Sequence, residues 1–308
     1  MSYVYDTLII GGGPAGYTAA LYATRAGLNT AILERMSPGG QMALTDIIDN
    51  YPGFPEGVDG IMLGMNMQMQ AERFGAKTLY EDVVSVDFTD PSVKVVKTAN
   101  NTYHARTVII ATGANPRELG LDNERALTGK GVHYCAHCDG RFYKGKTVAV
   151  VGGGNSAVAD ALYLSRVTDK VYVIHRRDSL RATKIYHEPL MKAENVEFAW
   201  NSQVVGILHD QKVSGVVLKD VDSGELRQID CDGIFVCVGR KPVTEFLNGQ
   251  VELDKGGYIL AGESTVTNIP GVFAVGDVRT KFLRQVVTAV ADGAVAVHMA
   301  EEFLAENA

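Results

Sequence analysis

The chain has 308 residues, 46% hydrophobic and 21% charged, the composition of an ordinary globular protein with room for two domains. Its net charge of −7, from 36 acidic against 29 basic residues, argues against a nucleic-acid binder, and no apolar run approaches the ~20 residues that span a bilayer. Four cysteines are too few for a secreted disulfide scaffold, and Met1 to Asp6 lack the basic region and cleavage site of a signal peptide, so a cytoplasmic protein is expected.

Thr7-Leu8-Ile9-Ile10 reads as a buried parallel strand, and Tyr17 to Gly27 has helical spacing. Between them lies Gly11-Gly12-Gly13-Pro14-Ala15-Gly16, a G-x-G-x-x-G run in strand-turn-helix context. Gly11 suits the tight turn, Gly13 a close approach of pyrophosphate, and Gly16 close packing of helix on strand, with the phosphates at the helix N-terminus. Glu34 ends a second strand, Thr30 to Leu33, where an acid can accept from both ribose hydroxyls. Ser37-Pro38-Gly39-Gly40-Gln41 is expected to be a turn, neither helix nor strand, able to fold over an extended cofactor. Ile61 to Met69 is helical and methionine-rich, suited to adaptable packing or to partner docking. Thr78 to Tyr103 alternates as a β-meander, and Thr107 to Ala114 forms a buried strand ending in a small-residue turn. Asn115-Pro116 follows as a hinge.

Cys135-Ala136-His137-Cys138-Asp139-Gly140 comes next. Two thiols three positions apart can close a disulfide or open to a dithiol. If the run opens a helix, the N-terminal partial charge favours a thiolate. Asp139 is placed to pass a proton. A zinc site from Cys135, Cys138, His133 and His137, or an inert structural pair, is the alternative, although the chain has no second CxxC.

Thr147 to Val151, then Gly152-Gly153-Gly154-Asn155-Ser156-Ala157 and a helix through Ser165, repeat the first nucleotide site. Glu34 lies 23 residues after Gly11, and the same spacing from Gly152 reaches His175, followed by Arg176, Arg177 and Arg181. Guanidiniums where an acid would otherwise sit can pair with a 2′-phosphate, so NADPH is expected rather than NADH. Gly233 to Val238 is a strand, with Gly239-Arg240-Lys241-Pro242 as the turn back. Cys237 is most simply a buried small residue, and neither it nor Cys231 is given a redox role. Pro270 to Asp277 is an apolar strand ending in Gly276-Asp277. A carboxylate there can hold a ribityl hydroxyl or merely cap a helix. Arg284-Gln285-Val286 opens a last helix running to about Glu302.

These motifs, GGGPAG at 11–16, PGGQ at 38–41, ATGA at 111–114, CAHCDG at 135–140, GGGNSA at 152–157, HRRDSLRA at 175–182, VFAVGD at 272–277 and RQV at 284–286, span the full length. The chain resembles the low-molecular-weight thioredoxin reductases of the two-dinucleotide-domain flavoprotein superfamily. The resemblance implies an α/β fold of two Rossmann-like domains. An FAD domain formed by 1–115 and 245–308 would surround an inserted NADPH domain, 116–244, that carries the CxxC. It implies Cys138 as the thiol facing the flavin, Cys135 as the one that exchanges with thioredoxin, and Asp139 as acid–base. FAD contacts would come from Gly11, Gly13, Pro14, Ala15, Gly16, Glu34, Arg35, Gly39, Gly40, Gln41, Asn50, Ala111, Thr112, Gly113, Gly276, Asp277, Arg284, Gln285 and Val286. NADPH contacts would come from Gly152, Gly154, Asn155, Ser156, Ala157, His175, Arg176, Arg177, Arg181 and Gly239.

The sequence departs from that pattern at Ala159-Asp160, where many relatives carry two glutamates. It departs again at His137, which is similar to the CxHC of alkyl hydroperoxide reductase flavoproteins. Those carry an extra N-terminal module with its own CxxC. The implied function is a thioredoxin-disulfide reductase, a cytoplasmic homodimer whose inserted domain swings between half-reactions. A thiol oxidase or a reductase of a peroxiredoxin-type partner is the alternative.

Overall fold

The computed structural model describes residues 3–45 and 47–307; Met1 and Ser2 of the N-terminal reading lie outside them. The chain forms two compact units, one from Met1–Asn115 with Lys241–Ala308 and one from Pro116–Arg240.

The elements that place the site begin with β1 (Val4–Ile10), α1 (Pro14–Arg25), β2 (Thr30–Glu34), α2 (Gly60–Arg73), β3 (Lys77–Tyr80), β4 (Val83–Asp87), β5 (Lys94–Thr98) and β6 (Thr102–Ile110). The inserted unit adds β7 (Val132–His133), α3 (Ala136–Asp139), β8 (Thr147–Val151), α4 (Asn155–Leu164), β9 (Lys170–Ile174), β10 (Val196–Ala199), β11 (Ser202–His209), β12 (Val213–Asp220), β13 (Leu226–Asp230) and β14 (Gly233–Val236). The chain returns to the first unit with β15 (Val272–Ala274) and α5 (Val286–Glu306).

In the first unit a seven-stranded sheet runs β3-β2-β1-β6-β5-β4, with β15 also on β6. β3, β2, β1, β6 and β15 are parallel. Successive β1 side chains point to opposite faces, and both faces are covered. Leu8 and Ile10 join one core with Val108 and Ile110; Ile9 joins another with Ala15, Ala19 and Ala23 of α1 and Ala296 of α5. That double burial explains the unbroken apolar run in the sequence. The first strand of the expected meander, Lys77–Tyr80, instead extends the parallel edge beside β2; β4, β5 and the start of β6 are antiparallel. Alternation alone does not distinguish these two pairings. On the methionine-rich helix α2, Leu63 and Met67 pack inward, while Ile61, Met62, Met65 and Met69 are exposed.

The second unit holds a five-stranded parallel sheet, β7-β14-β8-β9-β10. Val158, Ala161 and Leu164 of α4 pack on one face with Val148, Val150 and Phe235. The antiparallel sheet β11-β12-β13 supplies Val204, Val213, Val216 and Leu218 to the other. Each unit therefore has its own core. The return to the first unit comes at Lys241, ahead of the expected 245. Val243 is already bound there, its N–H donating to Gly113 O (3.0 Å) and its carbonyl accepting from Thr112 Oγ1 (2.7 Å).

Candidate active site

In the first unit the glycine run links β1 to α1 as expected. Gly11 has φ +105°, and a Cβ on it would lie 2.5 Å from Ala111 O, which sets the ATG turn of residues 111–113 against this one. A Cβ on Gly16 would lie 1.9 Å from Gly11 O. Gly13, by contrast, would meet nothing within 4 Å, so its side is open for a ligand's backbone approach. Pro14 occupies the first turn of α1, where its missing N–H costs no hydrogen bond.

Glu34 accepts from Gly12 N–H (2.6 Å) and Met36 N–H (3.0 Å), holding its carboxylate at the lip of the turn beside the exposed Arg35. Gly39 N–H donates to Gly12 O (2.8 Å), which brings the PGGQ segment onto the glycine turn. Part of that segment is helical after all: Gly40–Leu44 is a 3-10 turn entered through Gly39 at φ +106°. Gln41 Nε2 donates to Asn115 Oδ1 (3.0 Å), and Asn50 Nδ2 to Gln285 Oε1 (2.9 Å).

Gly276 and the half-buried Asp277 lie in a short turn after β15, and a Cβ on Gly276 would lie 3.2 Å from that of Ala15. The α5 N-cap is Gln285, in a reciprocal capping box with Thr288, so Asp277 is not the helix cap. Val286 packs with the cluster of Met42, Ile48 and Leu63. The Arg284 guanidinium lies 4.1 Å over the Tyr258 ring and donates to the carbonyls of Asp277, Arg279 and Lys281.

One constellation behind this turn escaped the sequence reading. Asp292 of α5, 6% exposed, accepts from Gly276 N–H (2.8 Å), from Arg279 Nε (2.8 Å) and Nη2 (2.6 Å), and from Lys281 Nζ (2.8 Å). Burial alone would raise its carboxyl, but Arg279 and Lys281 more than offset that and hold it below the usual value. It pins the backbone that presents Asp277. The spacing from Gly276 to Asp292 spans a loop and two turns of helix, a separation that no local pattern marks.

In the second unit Cys135 and Cys138 form a disulfide with Cα atoms 5.3 Å apart. Cys135 is the extended N-cap residue of α3, and Cys138 N–H and Asp139 N–H both return to its carbonyl (3.2 and 3.1 Å). The helix is a single turn, so the thiolate-favouring dipole expected of it is that of a few free N–H groups only. Asp139 faces His133 (Oδ2 to Nδ1, 3.1 Å).

Under α3, Asp160 of α4 accepts from Cys237 Sγ (3.1 Å). Burial holds this carboxyl above its ordinary range, against the lowering influence of the Cys237 thiol, His137, Arg240 and Ala136 N–H. Burial and Asp160 together push the Cys237 thiol well up. Cys237 is thus a hydrogen-bond donor to a half-buried acid rather than a plain apolar filler. Burial likewise pushes Cys231 up to about 12, so neither is a thiolate near neutrality.

The second glycine turn repeats the first. A Cβ on Gly152, at φ +147°, would lie 2.4 Å from Cys237 O, Ala157 is buried, and Gly154 faces open space. His175, 5% exposed, lies where a Gly153 Cβ would sit, and its Nε2 has no hydrogen-bond partner among the described residues. Burial, then Arg181, Arg177 and Arg176, lowers its pKa and keeps it neutral. Arg176, Arg177 and Arg181 are exposed, and the N–H groups of Arg181 and Ala182 both donate to Gly153 O (2.7 and 3.1 Å). Asn155 Oδ1 accepts from Thr183 N–H and Oγ1 (2.8 and 2.9 Å), with Ser156 exposed beside it. Gly239, at φ +112°, accepts from Arg117 N–H where the chain leaves the unit.

The open sides of Gly13 and Gly154, the Glu34 carboxylate and the exposed arginines fit one dinucleotide in each unit, the second with a 2′-phosphate.

A family model described as pyridine nucleotide-disulphide oxidoreductase matches residues 5–293. The chain is 46% identical over 307 residues to a thioredoxin reductase of Streptomyces clavuligerus, covering 99% of this chain and 95% of that one. It is 47% identical over 305 residues to a thioredoxin reductase of Listeria monocytogenes serovar 1/2a, covering 98% and 95%. The crystal structure of thioredoxin reductase from Streptococcus pyogenes MGAS5005 is similar at a TM-score of 0.91 and 44% identity, covering 99% of this chain and all of that one.

Proposed function

The chain belongs to the pyridine nucleotide-disulphide oxidoreductase family and, within it, to the thioredoxin reductases, and from that premise we propose that it reduces the disulfide of oxidised thioredoxin with NADPH and FAD as cofactors. When bound, these would supply hydride donation and acceptance and two-electron transfer, chemistry for which the chain's own side chains offer only a dithiol. The observation that carries the reading is the Cys135–Cys138 disulfide, lodged in the unit that also bears the arginine-flanked glycine turn.

Gly13, Gly16 and the α1 N-terminus would hold the FAD pyrophosphate, Glu34 its ribose, and the Asp277 turn the opposite end. Gly154 and Ser156 would hold the NADPH phosphates, and Arg176, Arg177 and Arg181 its 2′-phosphate. Cys135 attacks the partner disulfide, Cys138 resolves the mixed disulfide, and Asp139 moves the proton. Thioredoxin's couple near −270 mV is within reach of a CxxC of similar potential, since about 30 mV is about 1.4 kcal/mol. The relatives' shared name favours thioredoxin over a peroxiredoxin-type partner. A cytoplasmic homodimer belongs to the same reading; no helix among the described residues is long and apolar enough to cross a membrane.

Cys135→Ser should abolish NADPH-dependent reduction of thioredoxin while NADPH still bleaches the flavin. Loss of both steps, or thioredoxin reduction at the parent rate, would refute the assignment.

A further inference from the structure

Asp139 does not stand alone. Its Oδ2 lies 3.1 Å from Nδ1 of His133, and Nε2 of the same ring lies 2.7 Å from Tyr143 Oη. His133 is 8% exposed, whereas the Asp139 side chain keeps 18%. The line therefore runs inward from a carboxyl that a protein substrate can reach to a phenol that it cannot. Its inner end is firmly seated. His133 stacks on Phe235 (5.3 Å between centroids, 26° between planes), Tyr143 meets it edge-on, and a Cβ on Gly233 would come within 2.4 Å of the Tyr143 ring.

Burial first, then the charges of Asp139 and Asp232 and the Cys231 thiol, push the Tyr143 phenol up, so it keeps its proton. The phenol then donates to Nε2, which leaves the ring's own proton on Nδ1, directed at Asp139. Lys146 Nζ, 5.3 Å over the Tyr143 ring, is the cation on that side.

We propose that His133 and Tyr143 are positioning residues that fix Asp139 as the acid–base of thiol–disulfide exchange. The proposal rests on the reading of Cys135, Cys138 and Asp139 given above. Exchange begins with Cys135 as thiolate, Cys138 as thiol and Asp139 as carboxylate, to which His133 Nδ1–H donates. Cys135 Sγ bonds to one sulfur of the partner disulfide, the partner's S–S bond breaks, and its other sulfur becomes a thiolate. The Asp139 carboxylate then takes the Cys138 proton, Cys138 Sγ attacks Cys135 Sγ, and the partner's second sulfur leaves with the Asp139 proton as a thiol. One disulfide has formed, one has been reduced, and Asp139 is a carboxylate again.

The test starts from holoenzyme reduced with excess dithiol and desalted, so that exchange is followed in a single turnover without NADPH. The parent, His133→Gln, Tyr143→Phe and Asp139→Asn, and the two doubles with Asp139→Asn, are each mixed with oxidised thioredoxin. They are also mixed with an aromatic disulfide whose leaving thiolate needs no proton. His133→Gln should slow thioredoxin reduction about 10- to 100-fold, up to the lower end of the 10²–10⁴ that a placed acid–base itself contributes. Tyr143→Phe, which keeps the ring and its packing, should slow it a few-fold in the same sense. Neither should alter the first release of aromatic thiolate, and neither should add to Asp139→Asn. Parent rates in both variants, equal slowing with both disulfides, or full additivity with Asp139→Asn would overturn the relay. Parent rates in Asp139→Asn itself would instead overturn Asp139 as acid–base, a separate failure.

Discussion

At the scale of single residues, the arginines after β9 make the sharpest functional claim. Arg176 and Arg177 are exposed at a strand end where the first unit presents Glu34. A charge-assisted hydrogen bond is worth about 1.5–3 kcal/mol, and roughly 1.4 kcal/mol is a factor of ten. Replacing both arginines by alanine should therefore raise the KM for NADPH about 100-fold or more while kcat and the KM for NADH change little. Steady-state rates with each nucleotide decide it, and equal losses for NADPH and NADH would mean that the arginines do not read the phosphate. Their position was legible in the sequence because the glycine-to-acid spacing of the first site could be carried to the second. His133, Asp160 and Asp292 were not. Their partners are Asp139 and Tyr143, Cys237, and Arg279 with Lys281, and what joins each set is a fold contact rather than a period. A histidine two residues before a CxxC suggested a metal ligand; only its register on β7 turns it to the carboxylate.

At the scale of elements, the glycines of the first turn separate folding from binding. Gly16 lies where α1 crosses β1, and a methyl there would overlap the Gly11 carbonyl at 1.9 Å. Backbone on both sides leaves little room to yield, so Gly16→Ala should cost stability by at least the 1–3 kcal/mol typical of overpacking and lose flavin as well. Gly13 has extended backbone (φ −78°, ψ −175°) that alanine adopts freely, and its Cβ would point into open space. Gly13→Ala should purify with a thermal midpoint near that of the parent apoprotein but with little bound flavin. Flavin absorbance per protein and thermal unfolding of both apoproteins check the pair; a destabilised apo Gly13→Ala, or one that keeps its flavin, would contradict the reading of Gly13 as the phosphate approach. The strand-turn-helix units were readable because motif and period coincide there. The role of Lys77–Tyr80 was not, since a short alternating strand serves a parallel edge or a meander equally well.

At the scale of the whole molecule, the chain passes twice between two compact units. Each has its own sheets and cores. Within the first unit the chain is tied up to Gly113 and from Val243 by hydrogen bonds; within the second it is tied from Arg117 to Gly239. The crossing stretches are therefore short, Ala114 to Pro116 and Arg240 to Pro242, which pair as a two-stranded sheet, and each contains a proline whose preceding residue is held extended. The X-Pro pairs Asn115-Pro116 and Lys241-Pro242 marked both crossings in the sequence, although the second body ends sooner than expected. The cysteine pair and the second nucleotide turn belong to the same body, yet the proposed reaction needs each in turn beside one flavin in the other body. A fixed arrangement serves one of them, so we infer that the inserted unit rotates about the two crossings, on the microsecond-to-millisecond scale of hinge motions. An engineered disulfide that joins the units should then leave one half-reaction at its parent rate, either flavin reduction by NADPH or electron passage to Cys135–Cys138, and bring steady-state turnover with thioredoxin close to zero. Rapid-mixing measurements of each half-reaction in the locked protein separate the two, and parent turnover with the lock closed would show that the units work without rotating.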